Sequence, residues 1–187
     1  MLPHHLSLKN GRSAIVRTAT ARDADAWIDT VNSIAAEDVY LMTEQFARPV
    51  EDLRRLFNDA RPSSSVWMVG EVDGSVVAGA DVRRGEHRKN AHTANFGVFV
   101  RREFRGLGLG GALLQAGIDW ARSVGILKIK LGVFSTNERA IALYHKFGFE
   151  EEARLRGEVV LSGRPVDEIL MALWLPGSGP ATVDPGR

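Results

Sequence analysis

The sequence predicts one α/β domain in which helices flank a mixed, mostly antiparallel sheet. Its length of 187 residues fits a single domain. Short apolar runs typical of strands alternate with segments whose apolar residues recur at helical spacing, in the order β-α-α-β-β-β-α-β-α-β-β. We expect the domain to span residues 13–175, between an N-terminal extension at 1–12 and a disordered tail at 176–187 that is rich in Gly and Pro.

The composition excludes several classes of protein. The formal net charge is +1, so nothing favours a nucleic acid or a membrane as the main partner. The chain has no cysteine, which excludes disulfides, a thiolate nucleophile and cysteine-based metal sites, and we expect no metal. No apolar stretch resembles a signal peptide or a membrane span, and we therefore expect a cytoplasmic protein.

The first elements are a short strand and two helices. Ala14–Arg17 has the composition of a strand, and Thr20 is placed to cap a helix over residues 22–36. Pro49 fits the first turn of the second helix, because a proline there loses no backbone hydrogen bond.

Two hairpins are predicted from apolar runs that flank short turns. Residues 65–72 and 75–83 are joined by an Asp-Gly dipeptide, which favours a tight turn. Residues 149–161 and 166–175 enclose a Ser-Gly dipeptide near the end of the chain.

A glycine-rich segment, Arg105-Gly106-Leu107-Gly108-Leu109-Gly110-Gly111, is the most informative motif. It lies between an apolar run at Phe96–Val100, typical of a buried strand, and a helix whose apolar residues recur as far as Val124. Glycines let the backbone approach a ligand closely, and the free N–H groups at a helix N-terminus attract anions. The motif therefore predicts a site for a phosphate-bearing cofactor.

Two other phosphate-binding motifs explain this segment less well. A P-loop requires Lys followed by Ser or Thr after its last glycine, and the chain has neither there. Gly106, Gly108 and Gly111 spell the dinucleotide pattern G-x-G-x-x-G, but residues 101–104 separate them from the preceding strand. The next predicted strand, 128–134, also ends without an acidic residue for a ribose.

Arg105-x-x-Gly108-x-Gly110 resembles the acyl-CoA pyrophosphate loop of the GCN5-related N-acetyltransferase (GNAT) superfamily. Residues 137–149, N-E-R-A-I-A-L-Y-H-K-F-G-F, are similar to the N-x-x-A-x-x-L-Y-x-x-x-G-F helix of the same superfamily. The resemblance covers residues 92–174 and is strongest to bacterial amino-acid and small-amine N-acetyltransferases. It implies the GNAT fold and direct transfer of an acetyl group from acetyl-CoA to a primary amine in a ternary complex.

The resemblance also implies which residues bind acetyl-CoA. Main-chain groups of the strand before the loop would bind pantetheine and the thioester carbonyl, and the loop amides would bind the diphosphate. Arg105 would pair with phosphate or remain a solvated loop residue, and Asn137 would both cap its helix and contact pantetheine. The predicted cofactor-binding residues are Val98, Phe99, Val100, Arg105, Gly106, Leu107, Gly108, Leu109, Gly110, Gly111 and Asn137.

Tyr144 is the predicted general acid. A phenol can donate a proton to a departing thiolate, and the superfamily's helix places a tyrosine at this position. The competing interpretation is a core aromatic, since Ala140, Tyr144 and Phe147 fall at helical spacing.

The sequence does not assign the general base to one residue. Some superfamily members carry a carboxylate on the strand before the loop, where this chain has Asn95. Ribosomal-protein N-terminal acetyltransferases carry a glutamate at the position of Gly132. The remaining candidates are Glu44, Asp167, Glu168, His92 and water.

Other functions remain as alternatives to a small-molecule amine acceptor. A protein N-terminus is the alternative acceptor, and a non-catalytic acyl-CoA-binding regulatory domain is the alternative class, because a fold does not imply its chemistry. Many members of the superfamily dimerise, so a homodimer is an expectation from the resemblance alone.

Overall fold

The computed structural model describes residues 3–59 and 63–175. The strands are β1 (His4–Ser7), β2 (Ser13–Thr18), β3 (Ser65–Val72), β4 (Ser75–Arg84), β5 (Thr93–Val100), β6 (Lys128–Phe134), β7 (Glu150–Leu161) and β8 (Arg164–Trp174). The helices are α1 (Ala24–Ala35), α2 (Val50–Asp59), α3 (Leu109–Ser123) and α4 (Glu138–Lys146). The strands form one sheet in the order β1-β2-β3-β4-β5-β6-β8-β7, and every adjacent pair is antiparallel except β5 and β6. The predicted mixed, mostly antiparallel α/β fold is confirmed.

The segment predicted as an N-terminal extension contributes a strand. β1 pairs antiparallel with β2, although its sequence, His-His-Leu-Ser, has too little apolar pattern to predict a strand. Leu8 is buried in the core, and the N–H of Lys9 donates to the carbonyl of Leu107 at 3.1 Å. This segment is therefore anchored in the core and hydrogen-bonded to the glycine-rich loop. The predicted tail at 176–187 lies outside the described residues.

The start of the first helix differs from the prediction. A short 3₁₀ turn, Ala21–Asp23, precedes α1, because the Asp23 carboxylate accepts hydrogen bonds from the backbone N–H and the hydroxyl of Thr20 at 2.8 and 2.9 Å. Pro49 lies just before α2 and its carbonyl accepts the N–H groups of Asp52 and Leu53.

Each face of the sheet is covered by its own pair of helices. Helices α3 and α4 pack on one face over the larger core, which includes Leu113 and Ile129. Helices α1 and α2 pack on the other face, where the Trp27 ring contacts Phe57, Trp67 and Phe99 edge-on. Among the described residues, no helix has the length and apolar character needed to span a bilayer.

Strands β5 and β6 separate soon after they begin. Their paired residues are Thr93 with Lys128, Ala94 with Ile129 and Asn95 with Lys130. Beyond these pairs the two strands diverge, and residues 96–100 of β5 do not pair with residues 131–134 of β6. We call the space between these unpaired ends the cleft. The glycine-rich loop follows one side of the cleft and Asn137 follows the other, which is how the fold brings the two sequence motifs together.

Candidate functional site

The glycine-rich loop presents a row of free backbone N–H groups. Gly106 and Gly108 have φ angles of 76° and 106°, which favour glycine over any other residue. In the described part of the chain, no acceptor pairs with the N–H groups of residues 106–111, and the first bond of α3 runs from Ala112 N–H to the Gly108 carbonyl at 3.1 Å. Six unpaired donors at the positive end of a helix dipole form an anion site.

Arg139, which the sequence pattern did not predict as a site residue, adds a positive charge to this loop. Its guanidinium lies against Gly106: a Cβ atom at position 106 would be 1.7 Å from Nη2 of Arg139. Arg139 is exposed, and within residues 3–59 and 63–175 its guanidinium forms no ion pair or hydrogen bond. The arrangement leaves this guanidinium available to an anion bound by the loop.

Arg105, in contrast, is held by the protein itself. Its guanidinium forms a bidentate pair with Glu37 at 2.7 and 2.5 Å, and its Nε donates to the Val100 carbonyl at 2.8 Å. The hydrogen bonds from Arg105 hold the pKa of Glu37 below its usual value. The ring of Tyr40 packs 4.6 Å from the same guanidinium. Arg105 therefore connects the loop that follows α1 to the end of β5, and its predicted contact with phosphate stays a prediction.

The strand residues predicted to bind the cofactor line the cleft. Val98, Phe99 and Val100 pair with β4 along one edge, and their other edge faces the cleft without a strand partner. Val98 and Val100 pack on the larger core, whereas Phe99 packs against Trp27 on the opposite face. Their side chains thus fix the strand and leave its main-chain groups available to a ligand.

Helix α4 lies beside the N-terminus of α3 and carries both Asn137 and Tyr144. A Cβ atom at Gly110 would lie 3.8 Å from the Leu143 side chain, which shows how closely the helices approach. The Asn137 side chain accepts a hydrogen bond from the Ala140 N–H at 3.2 Å, so the predicted cap is confirmed. The amide nitrogen of its side chain has no partner among the described residues.

Tyr144, the predicted general acid, is a core residue. Its ring packs against Phe149 with centroids 5.8 Å apart, and its side chain belongs to the larger core. Burial raises the pKa of Tyr144 to about 12. The hydroxyl has no hydrogen-bond partner among the described residues. It is not one of the enclosed side-chain atoms there that lack a partner, which are Trp67 Nε1 and Arg84 Nε, so it keeps some access to solvent. A phenol in this state keeps its proton at neutral pH and can still donate it.

Carboxylates from neighbouring strands cover two glycines at the cleft. On one side, Asp81 of β4 lies over Gly97 of β5, with Oδ1 2.9 Å from the position of a Cβ. On the other side, Glu168 of β8 lies over Gly132 of β6, with Oε1 2.1 Å from the position of a Cβ. Burial raises the pKa of Asp81, whose Oδ2 accepts a 2.7 Å hydrogen bond from Arg83.

The other three side chains considered as general bases either lie away from the cleft or already form hydrogen bonds and ion pairs. Asp167 accepts a hydrogen bond from the Gly157 N–H at 2.9 Å and lies 3.5 Å from Arg154, on the strand face opposite Glu168. His92 lies before the start of β5, at the far end of the strand from the loop. Glu44 is exposed in the segment between α1 and α2.

A cavity of about 340 Å³ opens beside the end of β6. It is bordered by the segment after α1, the residue before Asn137 and the β7–β8 hairpin, and it is open to solvent. Its walls are largely apolar, and Arg164 is its one charged lining residue, without an ion pair in the described part of the chain. The lining residues are Val39, Tyr40, Thr136, Leu161, Ser162, Arg164 and Val166. No group of three or more potential metal ligands occurs in the described residues.

A cleft in an α/β sheet, flanked by free amides at a helix N-terminus and accompanied by a second pocket, defines a protein that binds a phosphate-bearing cofactor. The family model described as Acetyltransferase (GNAT) family matches residues 30–149, and the chain belongs to this family. It is an acetyltransferase whose acyl donor is acetyl-CoA, as the sequence resemblance implied.

Known relatives and solved structures agree with this assignment. The L-amino acid N-acetyltransferase AaaT of Escherichia coli K12 is 29% identical over 163 residues, which cover 84% of this chain and 96% of the relative. A GNAT-family acetyltransferase of Streptococcus pneumoniae superposes with a TM-score of 0.82 at 21% identity, covering 87% of this chain and 99% of that one. The yncA protein of Salmonella typhimurium, solved with its cofactor acetyl-CoA, superposes with a TM-score of 0.78 at 24% identity, covering 87% and 94%. Both structures support the fold.

The raised pKa of Tyr144 predicts a loss of stability in alkali. Above pH 10 the unfolded chain releases the Tyr144 proton while the folded chain retains it, so the free energy of unfolding falls as the pH rises towards 12. The two pKa values limit this effect to about 3 kcal/mol. Denaturant unfolding between pH 9 and 11.5 should show a steeper decline for the wild type than for Tyr144→Phe. Equal slopes would contradict the burial of this phenol.

Proposed function

We propose that this protein transfers the acetyl group of acetyl-CoA to the amino group of a small molecule, with amino acids as the first candidates, by direct attack in a ternary complex. One observation carries the proposal: six free N–H donors of residues 106–111 lie at the end of a cleft whose main-chain edges have no strand partner. Unsatisfied backbone groups of this kind fit an extended ligand that ends in a diphosphate.

The cavity beside the cleft supports a small acceptor that carries a carboxylate. Its volume of about 340 Å³ suits an amino acid, and its apolar walls would contact an apolar side chain. Arg164 could pair with the α-carboxylate, because a guanidinium matches a carboxylate in a bidentate geometry. The name of the Escherichia coli relative, an L-amino acid N-acetyltransferase, favours the same substrate class.

Acetyl-CoA supplies the activated acyl group, and the residues of this chain position it and move protons. The amides of residues 106–111 and the guanidinium of Arg139 bind the phosphates, and main-chain groups of Val98–Val100 bind pantetheine. Asn137 adds an amide contact to the same arm. Tyr144 gives its proton to the thiolate as the C–S bond breaks, since its high pKa keeps the phenol protonated until that step.

The homodimer, the cytoplasmic location and the lack of nucleic-acid or membrane partners belong to the same proposal and stay predictions. The second candidate acceptor is a protein N-terminus, which short peptides represent in an assay of thiol release.

Arg139 should contribute to acetyl-CoA affinity. Arg139→Ala removes a charged hydrogen-bond donor from the phosphates, and we expect the KM for acetyl-CoA to rise about tenfold or more. Arg139→Lys should recover part of the loss. Arg55→Ala is the matched control, because this exposed arginine pairs with Asp52 on α2, away from the loop. Unchanged KM in Arg139→Ala would remove Arg139 from the site.

Thiol release from acetyl-CoA across amino acids, polyamines, aminoglycosides and short peptides tests the proposed reaction. We expect turnover with amino acids, and Tyr144→Phe should lower kcat about 100-fold or more while acetyl-CoA binding is unchanged. The phenylalanine retains the ring that packs on Phe149, so a change in kcat reports the hydroxyl. Turnover with peptides alone would favour a protein acceptor. No turnover with any acceptor, while acetyl-CoA binds, would overturn the proposal.

A further inference from the structure

We propose that Glu168 is the general base that removes a proton from the acceptor amine. This inference rests on the proposed N-acetyl transfer and assigns a residue to a step that the proposal leaves open. Three observations support it. They are the position of Glu168, the absence of a hydrogen bond to its carboxylate among the described residues, and the hydrogen bonds that Asp81 and Asp167 already accept.

Glu168 lies on the face of the sheet opposite the larger core. On β6, Leu131 and Val133 face the larger core, so Gly132 between them faces the opposite side of the sheet. On β8, Ile169 and its alternate residues also face that core, so Glu168 shares the side of Gly132. Glu168 pairs with Phe134 across β6 and β8, and its carboxylate reaches back along β6 to Gly132.

Gly132 makes this position available to the carboxylate. A side chain at 132 would begin 2.1 Å from Oε1 of Glu168, so any residue larger than glycine would displace it. Position 132 lies in the part of β6 that has separated from β5. The carboxylate therefore covers a stretch of backbone that borders the cleft, in the place where a side chain of β6 would otherwise stand.

The Glu168 carboxylate is also free to accept a proton. It is half-buried, and the described residues offer it no hydrogen bond or ion pair. Asp81, the carboxylate on the other side of the cleft, is instead bonded to Arg83 at 2.7 Å, and Asp167 is bonded to the Gly157 N–H. A general base needs an available lone pair near the reacting nitrogen. Glu168 is the carboxylate at the cleft whose two oxygens both lack a hydrogen bond from the described residues.

The proton balance of the reaction is then complete. Glu168 accepts one proton from the acceptor ammonium, which leaves a neutral amine with a lone pair. The nitrogen forms a bond to the acetyl carbon, the C–S bond breaks, and Tyr144 protonates the thiolate. The nitrogen loses a second proton to solvent as the amide forms, Glu168 releases its accepted proton to solvent, and Tyr144 is reprotonated from solvent. The cycle therefore restores both groups and releases one proton overall.

Few charged groups surround Glu168. Lys130 lies on the same side of β6, two residues before Gly132, and its side chain is exposed. Leu155 of β7 and Phe134 of β6 are the paired neighbours of Glu168 and neither can titrate. Asp81 faces the cleft from β4, and Arg164 lies near the hairpin end of β8. Lys130, Asp81 and Arg164 are the three charged groups that could modulate proton removal by Glu168.

The test compares Glu168→Gln with Asp81→Asn, the matched loss of the carboxylate on the other side of the cleft. We expect Glu168→Gln to lower kcat/KM for the acceptor about 100-fold at pH 7, with acetyl-CoA affinity and melting temperature unchanged. Its kcat/KM should then rise with pH, because hydroxide replaces the base. Glu168→Asp should recover part of the rate, and Asp81→Asn should lose less activity than Glu168→Gln.

Two results would overturn the proposal. One is wild-type turnover that Glu168→Gln leaves unchanged. The other is a loss of kcat/KM and a changed pH profile in Asp81→Asn alone, which would assign the base to Asp81. Failure of the proposed function is distinguishable from both, because the wild type itself would then release no thiol with any acceptor.

Discussion

The functional site depends on the early separation of β5 from β6, which lets two neighbouring parallel strands pair over only three residues. A parallel pair in the middle of a sheet normally satisfies both strand edges, so its divergence leaves backbone donors and acceptors without partners. The larger core holds both strands from one face, and the cluster around Trp27 holds β5 through Phe99 from the other. The cleft is thus a fixed feature of the sheet, and the unpaired main-chain groups within it are available to a ligand.

The Arg105–Glu37 pair connects the segment after α1 to the glycine-rich loop. Arg105 bonds at once to Glu37, at the end of α1, and to the carbonyl of Val100, at the end of β5. Their side chains are 17% and 22% exposed, so solvent screens the pair less than it screens a surface ion pair. Tyr40 packs on the same guanidinium and also lines the cavity. Arg105 therefore links the segment that lines the cavity to the glycine-rich loop.

The sequence could predict the elements and motifs that depend on local patterns. The strand–glycine–helix arrangement and the cap at Asn137 follow from spacing and from backbone chemistry that acts over a few residues. The strand β1 could not be predicted, because its polar sequence forms a strand only when β2 offers an edge. Local pattern therefore predicted the elements around the glycine-rich loop and the cap at Asn137, and it missed the first strand.

Contacts between distant segments account for the remainder of the site. Arg139 meets Gly106 only after α4 packs beside α3, and the motif that contains Arg139 leaves its position variable. The role of Gly132 is also invisible in the sequence, since the residue that covers it is contributed by a strand far along the chain. Glu168 is visible in the sequence as a candidate base, but no spacing rule shows that its carboxylate covers Gly132.

The central claim is that the free amides of residues 106–111 and the cleft bind coenzyme A. Backbone amide NMR spectra, recorded during titration with coenzyme A and separately with NADH, test it most directly. We predict that coenzyme A shifts the amide resonances of Gly106, Gly108, Gly110 and Gly111 together with those of Val98–Val100, because hydrogen bonds to phosphate and pantetheine form there. Binding of coenzyme A that leaves these resonances unchanged, or shifts that only NADH produces, would contradict the account.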